Sequence, residues 1–257
     1  MDYWIYFNYK KRVVRLNIYL FFYTIYMIVF CFLTYNDIIP LNYWNNFFKN
    51  IDKSKYQVWI HPKNDVVKEK YDFEINIVQN KINTISKSHI SIVEATLQLF
   101  KESYSNNGDF YIFCSQNCIP LYNFEFFENF TKNLNKSIIS CIHFNRKDRY
   151  NSLNHELKKI ITYNQFVKQQ PNMILTKKDV KLLIDNNFIY YFKNIQCPDE
   201  HYFINVFLYV LKINIIKSQS HFCNYDLNKT QALVFNPTPK LINFIKDKGF
   251  LFMRKVY

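Results

Sequence analysis

Short apolar runs, each bounded by turn-forming residues, recur along the chain. They fall at residues 27–34, 56–61, 73–77, 110–114, 138–143 and 213–216. Most are rich in β-branched and aromatic residues, and runs of this length and composition predict buried β-strands. Because helical segments separate most of these runs, the pattern predicts an α/β fold with a largely parallel sheet.

Between the strands, apolar residues recur at the spacing of one helix face. This spacing predicts helices at residues 42–49, from 91 to the Asn-Asn-Gly turn at 106–108, at 127–134, after Thr176, after Glu200, and from Thr238 to Gly249. Residues 145–172 are polar and basic, which predicts a loop region or a weak helix. No internal repeat or low-complexity linker divides the chain, so we expect one domain.

The start of the chain allows two interpretations. Basic residues cluster at positions 10–15, and residues 17–36 carry no charge. A stretch of this length behind a basic flank is long enough for a membrane anchor. If residues 27–34 form a strand, however, too few residues remain to span a bilayer. We favour the strand, with a basic and apolar extension at residues 1–25 and a single domain at residues 26–257; membrane association and the compartment stay open.

The chain is strongly basic, with 33 Lys and Arg against 20 Asp and Glu and a net charge of +13. Such an excess suits a polyanionic partner, either a nucleic acid, an anionic membrane surface or a nucleotide diphosphate, although a diffuse solvated basic surface explains it equally well. The aromatic residues follow core spacing and do not interleave with Lys and Arg, which argues against nucleic-acid binding. A hydrophobic content of 49% excludes disorder as the main state.

Several cofactor classes lack their sequence motifs. The chain has no G-x-G-x-x-G, Walker, H-E-x-x-H or G-x-S-x-G motif, and its two glycines cannot build a phosphate-binding loop. Cys114 and Cys118 are four residues apart, but no second pair accompanies them at zinc-finger spacing. We therefore expect the six cysteines to be mostly buried free thiols.

Two adjacent carboxylates and a histidine precede the most apolar helical segment. Asp199, Glu200 and His201 stand before residues 202–211, which are apolar on nearly every side. A helix of this kind belongs in a core, so the carboxylates are held at the rim of something buried. One interpretation is helix capping, since acidic residues are favourable beside a helix N-terminus. The other is catalysis by a carboxylate base.

Seven segments of the chain resemble segments of the core-2/I-branching glycosyltransferases, especially their plant-type members, and they occur in the same order as in that family. FYIFCSQNCIPLYNF at residues 110–124 resembles the family block LLSESCIPLYNF, and CPDEHYF at 197–203 resembles its DEHYF block. Residues 32–34, 60–61 and 89–95 resemble the upstream segments FLTRG, YVHS and ISMVDAE. Residues 224–226 and 250–255 resemble the final segments VDW and LFARKF.

This resemblance implies a GT-A-type, Rossmann-like α/β domain with a mixed, mainly parallel sheet. It also implies an inverting transfer of a sugar, commonly N-acetylglucosamine, from a UDP-sugar donor to a glycan or glycoprotein hydroxyl. The glutamate of the D-E block, the family's catalytic base, falls on Glu200. Within the matched segments, donor-binding candidates are His61, Ser115, Arg254 and Lys255, and acceptor-binding candidates are Glu94, Asp199 and Asp226.

The resemblance also bears on cofactors. Metal-dependent GT-A enzymes generally hold Mn²⁺ or Mg²⁺ with an Asp-x-Asp element, because hard cations prefer oxygen ligands. No Asp-x-Asp occurs in this chain, and Ser115, Gln116 and Asn117 follow the strand at 110–114. We therefore expect no divalent metal and no other cofactor, with Arg254 and Lys255 supplying the positive charge.

Two departures from the family pattern concern the acceptor side. Leu227 stands where the family has tryptophan after the aspartate, and Asn172 with Met173 replaces its Gln-Trp pair. A second basic donor-side residue has no clear counterpart, although Lys229 is nearby. These changes keep a second hypothesis open, in which the chain is a catalytically inactive relative that binds a glycan or another partner.

Overall fold

The computed structural model describes residues 26–86, 89–104, 108–143, 145–224, 233–234 and 236–257. The expected extension at residues 1–25 lies outside these ranges, as do Asp226, Leu227 and Lys229. Among the described residues, no helix is both long enough and apolar enough to cross a bilayer.

The residues that the structure describes form eleven strands and eight α-helices. The strands are β1 (Ile28–Thr34), β2 (Tyr56–Pro62), β3 (Asn76–Ile77), β4 (Phe110–Ser115), β5 (Ile119–Pro120), β6 (Ile138–Ile139), β7 (Ile142–His143), β8 (Val167–Lys168), β9 (Met173–Thr176), β10 (His221–Cys223) and β11 (Phe252–Arg254). The helices are α1 (Leu41–Phe48), α2 (Ser91–Tyr104), α3 (Phe124–Lys132), α4 (Lys147–Asn151), α5 (His155–Ile160), α6 (Lys177–Asp185), α7 (Tyr202–Asn205) and α8 (Pro239–Asp247).

Six strands form the central sheet, in the order β3-β2-β1-β4-β9-β6. Strand β1 is parallel to β2 and β4, β2 is parallel to β3, and β9 is antiparallel to both β4 and β6. Five strands therefore run in one direction and one strand runs against them. This sheet confirms the predicted α/β class with a mixed, mainly parallel sheet.

Strand β1 lies at the middle of the fold because both of its faces are apolar. Val29 and Cys31 belong to the core on the side of α2, and Phe30 and Phe32 to the core on the side of α1. The Phe32 ring lies 4.8 Å from that of Trp44, edge to face. A continuous apolar run is the signature of a parallel strand covered on both sides. The prediction of a strand at residues 27–34 is thus confirmed.

The carboxyl ends of the parallel strands meet at one edge of the sheet. Leu33 of β1 is in register with His61 of β2 and with Ser115 of β4. Thr34 is the last residue of β1, and its carbonyl accepts a hydrogen bond of 2.9 Å from the backbone amide of Lys63, which directly follows β2. This bond ties the loop after β1 to the loop after β2. Ligands of open α/β sheets bind beyond this edge.

A small second sheet, in the order β10-β11-β5, brings the C-terminal segment to the same edge. Cys223 pairs with Arg254, and Met253 pairs with Ile119. The Val256 amide donates a hydrogen bond of 3.0 Å to the Asn117 carbonyl. The C-terminal basic residues are thereby fixed beside the loop that follows β4.

Some expected elements differ from those observed. The expected strand at residues 213–216 was wrong, since only Ile216 forms an isolated bridge, to Ile138. The region 145–172, expected to be a loop or a weak helix, holds the short helices α4 and α5 and also strand β8, which was not expected. The helix expected after Glu200 is present as α7, which continues into a π-helical turn at Val206–Val210.

Candidate active site

A cleft of about 260 Å³ opens at the carboxyl edge of the central sheet. Its walls come from the ends of β1 and β4, the N-terminal turns of α2, the turn before α7 and the C-terminal segment. Residues lining it include Thr34, Tyr35, Lys63, Ser115, Asp199, Arg254 and Lys255. Several segments far apart in sequence thus contribute both carboxylate and basic groups to one concave surface.

Arg254 is held in the cleft wall by Asn172. Its Nη1 donates a hydrogen bond of 2.9 Å to Asn172 Oδ1, and Asn172 Nδ2 donates one of 3.3 Å to the Phe113 carbonyl. Asn172 is buried, so its amide orients the arginine against β4. The sequence comparison assigns the Asn172 departure to the acceptor side, and the structure shows that Asn172 also contacts Arg254.

The guanidinium of Arg254 keeps unused hydrogen-bonding capacity. Its Nε is buried and has no hydrogen-bond partner among the described residues. Lys255 follows it and lines the same cleft. Guanidinium and ammonium groups at the end of a parallel sheet are suited to binding an anion such as a diphosphate.

Asp199 lies at the base of the cleft within a 3-10 turn, Pro198–Glu200. The turn is preceded by Cys197 in the left-handed region, at φ 52°, which is uncommon for a non-glycine residue and redirects the chain. Burial, followed by the charge of Glu200, raises the pKa of Asp199 to about 7. Its Oδ1 has no hydrogen-bond partner among the described residues. A carboxyl group in this environment is partly protonated near neutral pH.

Glu200 has a different environment from its neighbour. Its Oε2 accepts a hydrogen bond of 2.8 Å from Nη1 of Arg149, and about a third of its side chain is exposed (32%). The backbone carbonyl of Glu200 accepts a hydrogen bond of 2.7 Å from the Gln169 amide, which fixes the turn against the segment after β8. The carboxylate is therefore ionic, oriented and open to solvent on one side.

His201 is part of the support for this arrangement. Its ring stacks on Phe166 at 4.5 Å, its Nδ1 lies 2.9 Å from the Val167 carbonyl, and its Nε2 lies 3.2 Å from Arg149 Nη1. Burial lowers the pKa of His201 to about 4. The neutral ring donates from Nδ1 to the carbonyl and presents the Nε2 lone pair to the arginine, which places Arg149 beside Glu200.

Two predicted site residues lie outside the cleft wall. His61 is fully buried, and its Nε2 accepts a hydrogen bond of 2.9 Å from the Ile82 amide, so it holds a neighbouring segment in place. Glu94 faces a separate concavity that it shares with Lys101 and Asn186. The geometry therefore gives no support to donor binding by His61 or to acceptor binding by Glu94.

Most of the other predicted site residues come together in the cleft. Ser115, Asp199, Arg254 and Lys255 line one cleft, and Glu200 adjoins Asp199 in the same turn. Asp226 lies outside the described residues. Sequence reasoning missed Arg149, which comes from α4 in the region expected to be a loop or a weak helix. The weak periodicity of this region gave no signal that Arg149 belongs to the site.

Metal-ligating side chains are also grouped in this part of the molecule. Among the described residues, one cluster has suitable chemistry: Cys114, Cys118 and His221, all buried. It lies in the core behind Ser115 and consists of thiol and imidazole groups. The cleft itself presents the carboxylate of Asp199 and basic side chains, an arrangement able to bind an anionic ligand beside a carboxylate base.

Comparison with known proteins identifies relatives of the chain. The family model described as Core-2/I-Branching enzyme matches residues 28–238. No curated protein sequence matches. Among solved structures, the apo form of the WbbM bifunctional glycosyltransferase is similar over 91% of this chain, with 10% identity and a TM-score of 0.47. This chain spans 46% of that protein, slightly less than half its length.

A second solved structure is 4-diphosphocytidyl-2C-methyl-D-erythritol synthase from Anaerococcus prevotii DSM 20548. It shares 13% identity, covers 63% of this chain and 78% of its own, and has a TM-score of 0.30. The family assignment rests on the sequence match and not on these two distant structural likenesses. Since that match covers most of the chain and includes the Asp199-Glu200 turn, the protein belongs to the Core-2/I-Branching enzyme family of glycosyltransferases.

Proposed function

We propose that this protein is an inverting glycosyltransferase that transfers a sugar from a UDP-sugar to a hydroxyl of a glycan or glycoprotein. The sugar we propose is N-acetylglucosamine. The observation that carries this proposal is the meeting of Asp199 with Arg254 and Lys255 in one cleft, with Glu200 in the same turn as Asp199. An anion site next to a carboxylate is what such a transfer needs.

The donor side of the proposal rests on Arg254 and Lys255. When the glycosidic bond to the donor breaks, UDP leaves with additional negative charge on its terminal phosphate oxygen. Fixed cations stabilise this charge more than that of the intact donor, which lowers the barrier. Asn172 keeps Arg254 in position before the donor arrives, so little reorganisation is required.

The base in this proposal is Glu200. The acceptor hydroxyl gives its proton to the carboxylate while its oxygen forms the new bond to the anomeric carbon and the bond to UDP breaks on the opposite face. One carboxylate is sufficient for an inverting transfer of this kind. Glu200 is ionic and partly exposed, as a base must be to reach an incoming hydroxyl. Arg149 orients it through one oxygen and leaves the other available to accept a proton.

The same contact favours a second candidate function, a catalytically inactive relative that binds a glycan or another partner. If the Arg149–Glu200 ion pair persists with ligands bound, the carboxylate is a poorer proton acceptor. Leu227, which stands where the family has tryptophan, favours the same alternative. This alternative predicts binding of UDP or glycan without turnover.

A screen of UDP-sugars for slow donor hydrolysis tests the proposal without a known acceptor. We expect release of UDP from one sugar donor, and a rise in melting temperature with UDP that an oligonucleotide does not produce. A short incubation with EDTA should leave the rate unchanged. UDP binding without release from any donor would favour the inactive relative, and stabilisation by oligonucleotide alone would contradict both. Loss of activity with EDTA and recovery with Mn²⁺ would contradict the metal-independent mechanism.

A further inference from the structure

Behind the cleft wall, three side chains with metal-ligand chemistry meet in the core. Cys114 lies near the end of β4, Cys118 follows the next turn, and His221 begins β10. Their exposed fractions are 0%, 0% and 1%, and their ligand atoms all lie within 4.8 Å of one another. We propose that this Cys114–Cys118–His221 cluster binds one thiophilic d¹⁰ metal ion, Zn²⁺ or Cu⁺.

The spacing of the cluster is close to that of a formed site. Cys114 Sγ lies 3.8 Å from His221 Nε2. A metal with bonds of about 2.3 Å to sulfur and about 2.0 Å to nitrogen places these two ligand atoms roughly 3.5–3.8 Å apart at tetrahedral or trigonal angles. Small side-chain rotations therefore suffice for binding, and the backbone need not move.

His221 is already oriented as a metal ligand. Its Nδ1 lies 2.8 Å from Ser220 Oγ, and its ring stacks on Phe252 at 4.4 Å. When Nδ1 carries the proton and donates to the serine, the Nε2 lone pair faces Cys114. Ligating histidines are fixed by this kind of hydrogen bond through the other ring nitrogen.

Two polar groups lie close to the Cys118 sulfur. Ser115 Oγ lies 3.2 Å and Asn172 Nδ2 lies 3.5 Å from it. A bound cation stabilises both cysteine sulfurs as thiolates, and a hydrogen bond from the Asn172 amide would add to the stabilisation of Cys118 and hold it in place.

The chemistry of the ligands selects the ion. Two thiolates and an imidazole suit Zn²⁺ and Cu⁺, whereas Mg²⁺ and Mn²⁺ prefer oxygen. The ion would link β4 of the central sheet to β10 of the small sheet, and so fix the strand that carries Arg254. Its role would be structural, because the cluster is buried behind Ser115 and does not line the cleft. It therefore does not replace the cationic side chains proposed to bind the diphosphate.

Metal analysis of the whole 257-residue chain tests this inference, whatever its catalytic activity. Protein produced in zinc-replete medium and purified with a reductant but no chelator should contain about one equivalent of metal by mass spectrometry. Co²⁺ should give sulfur-to-metal charge-transfer absorption in the near ultraviolet. Titration with Zn²⁺ and with Cu⁺ against chromophoric chelators then distinguishes the two ions by affinity. Removal of the ion should lower the melting temperature.

Matched variants identify the ligands. Cys114→Ser, Cys118→Ser and His221→Gln should each reduce the bound metal to a small fraction, whereas Cys31→Ser, which changes a fully buried thiol on β1, should retain it. If the ligand variants fail to fold, the wild-type titrations still decide. Reduced, folded wild-type protein that binds neither Zn²⁺ nor Cu⁺ would overturn the inference, as would metal retained equally in all variants.

Discussion

Nη1 of Arg149 lies 2.8 Å from Oε2 of Glu200 and 3.2 Å from Nε2 of His201. One guanidinium therefore connects two consecutive residues of the Asp-Glu-His segment. Because the pair is partly exposed, its contribution to stability is small. Its importance lies in orientation, because the two adjacent carboxylates receive different environments: Asp199 lines the cleft, and Glu200 is paired with a cation.

Replacement of the proposed base should separate binding from turnover. Glu200→Gln keeps the shape of the side chain and removes its ability to accept a proton, so turnover should fall by about 10²–10⁴. The affinity for UDP should change little. Glu94→Gln, in a separate concavity, serves as the control and should keep wild-type turnover. Steady-state kinetics with UDP titration provide both values; turnover within a few fold of wild type in Glu200→Gln would reduce Glu200 to a structural role.

Arg149 should act as a positioning residue. Arg149→Ala removes the contact that orients Glu200, and we expect kcat to fall by roughly 10–10² with the KM for the donor nearly unchanged. Arg149→Lys should recover part of the loss. The control is Arg146→Ala, which breaks an exposed ion pair with Asp148 at the start of the same helix. An unchanged kcat, or a rise in it, would show that the ion pair holds Glu200 in an inactive state.

Lys255 should contribute to donor binding through its charge. Lys255→Ala should weaken binding of UDP by roughly 1–3 kcal/mol, the scale of a lost charge-assisted contact. Lys248→Ala provides a control, since it removes the same charge from the end of α8, where the ammonium lies over the Phe244 ring. Calorimetric titration with UDP measures the difference. Equal affinities of the two variants would mean that Lys255 is only a solvated surface charge.

Asp199 should make stability depend on pH. Its pKa is raised to about 7 from the ordinary value of 3.8, so the folded protein binds more protons than the unfolded chain between these two pH values. Stability should therefore fall as pH rises through this window and level off above it, by about 4 kcal/mol at most. Asp199→Asn should remove this part of the slope, whereas Asp65→Asn, at an exposed position, should not. Urea unfolding at several pH values measures the free energy of unfolding as a function of pH. If this free energy changes with pH in the same way for wild type and Asp199→Asn, the prediction is contradicted.

Strand β1 should be indispensable for folding. A chain beginning at Asn17 retains β1 and should fold, whereas one beginning at Tyr35 lacks the strand between β2 and β4 and should not. Circular dichroism and size-exclusion chromatography of the two chains measure the outcome. A folded, active protein starting at Tyr35 would refute the placement of β1 in the central sheet and favour the anchor.

Local sequence patterns were sufficient for much of the fold. The apolar run at residues 27–34 predicted β1, since only a strand covered on both faces tolerates it. Thr238 followed by Pro239 predicted the start of α8, and the Thr238 hydroxyl accepts from the Leu241 amide as a cap should. Gly249, at φ 81°, follows the same helix as expected. These signals are readable because each depends on residues within one or two turns.

The motif around Glu200 was also visible in the sequence, as were the basic residues at the end of the chain. What the sequence by itself determined was therefore the alternation of elements, the central strand and the identity of the residues with acid, base and cationic chemistry.

The tertiary structure alone decided which of these residues meet. It brought Arg149 to Glu200 from a segment with no periodic signal, and turned Asn172 toward Arg254. It also separated His61 and Glu94 from the cleft and gathered Cys114, Cys118 and His221 in the core. Such contacts depend on strand order and on the path of the C-terminal segment. Strand order and the path of the C-terminal segment cannot be inferred from the local pattern, because they follow from how distant apolar surfaces pack together.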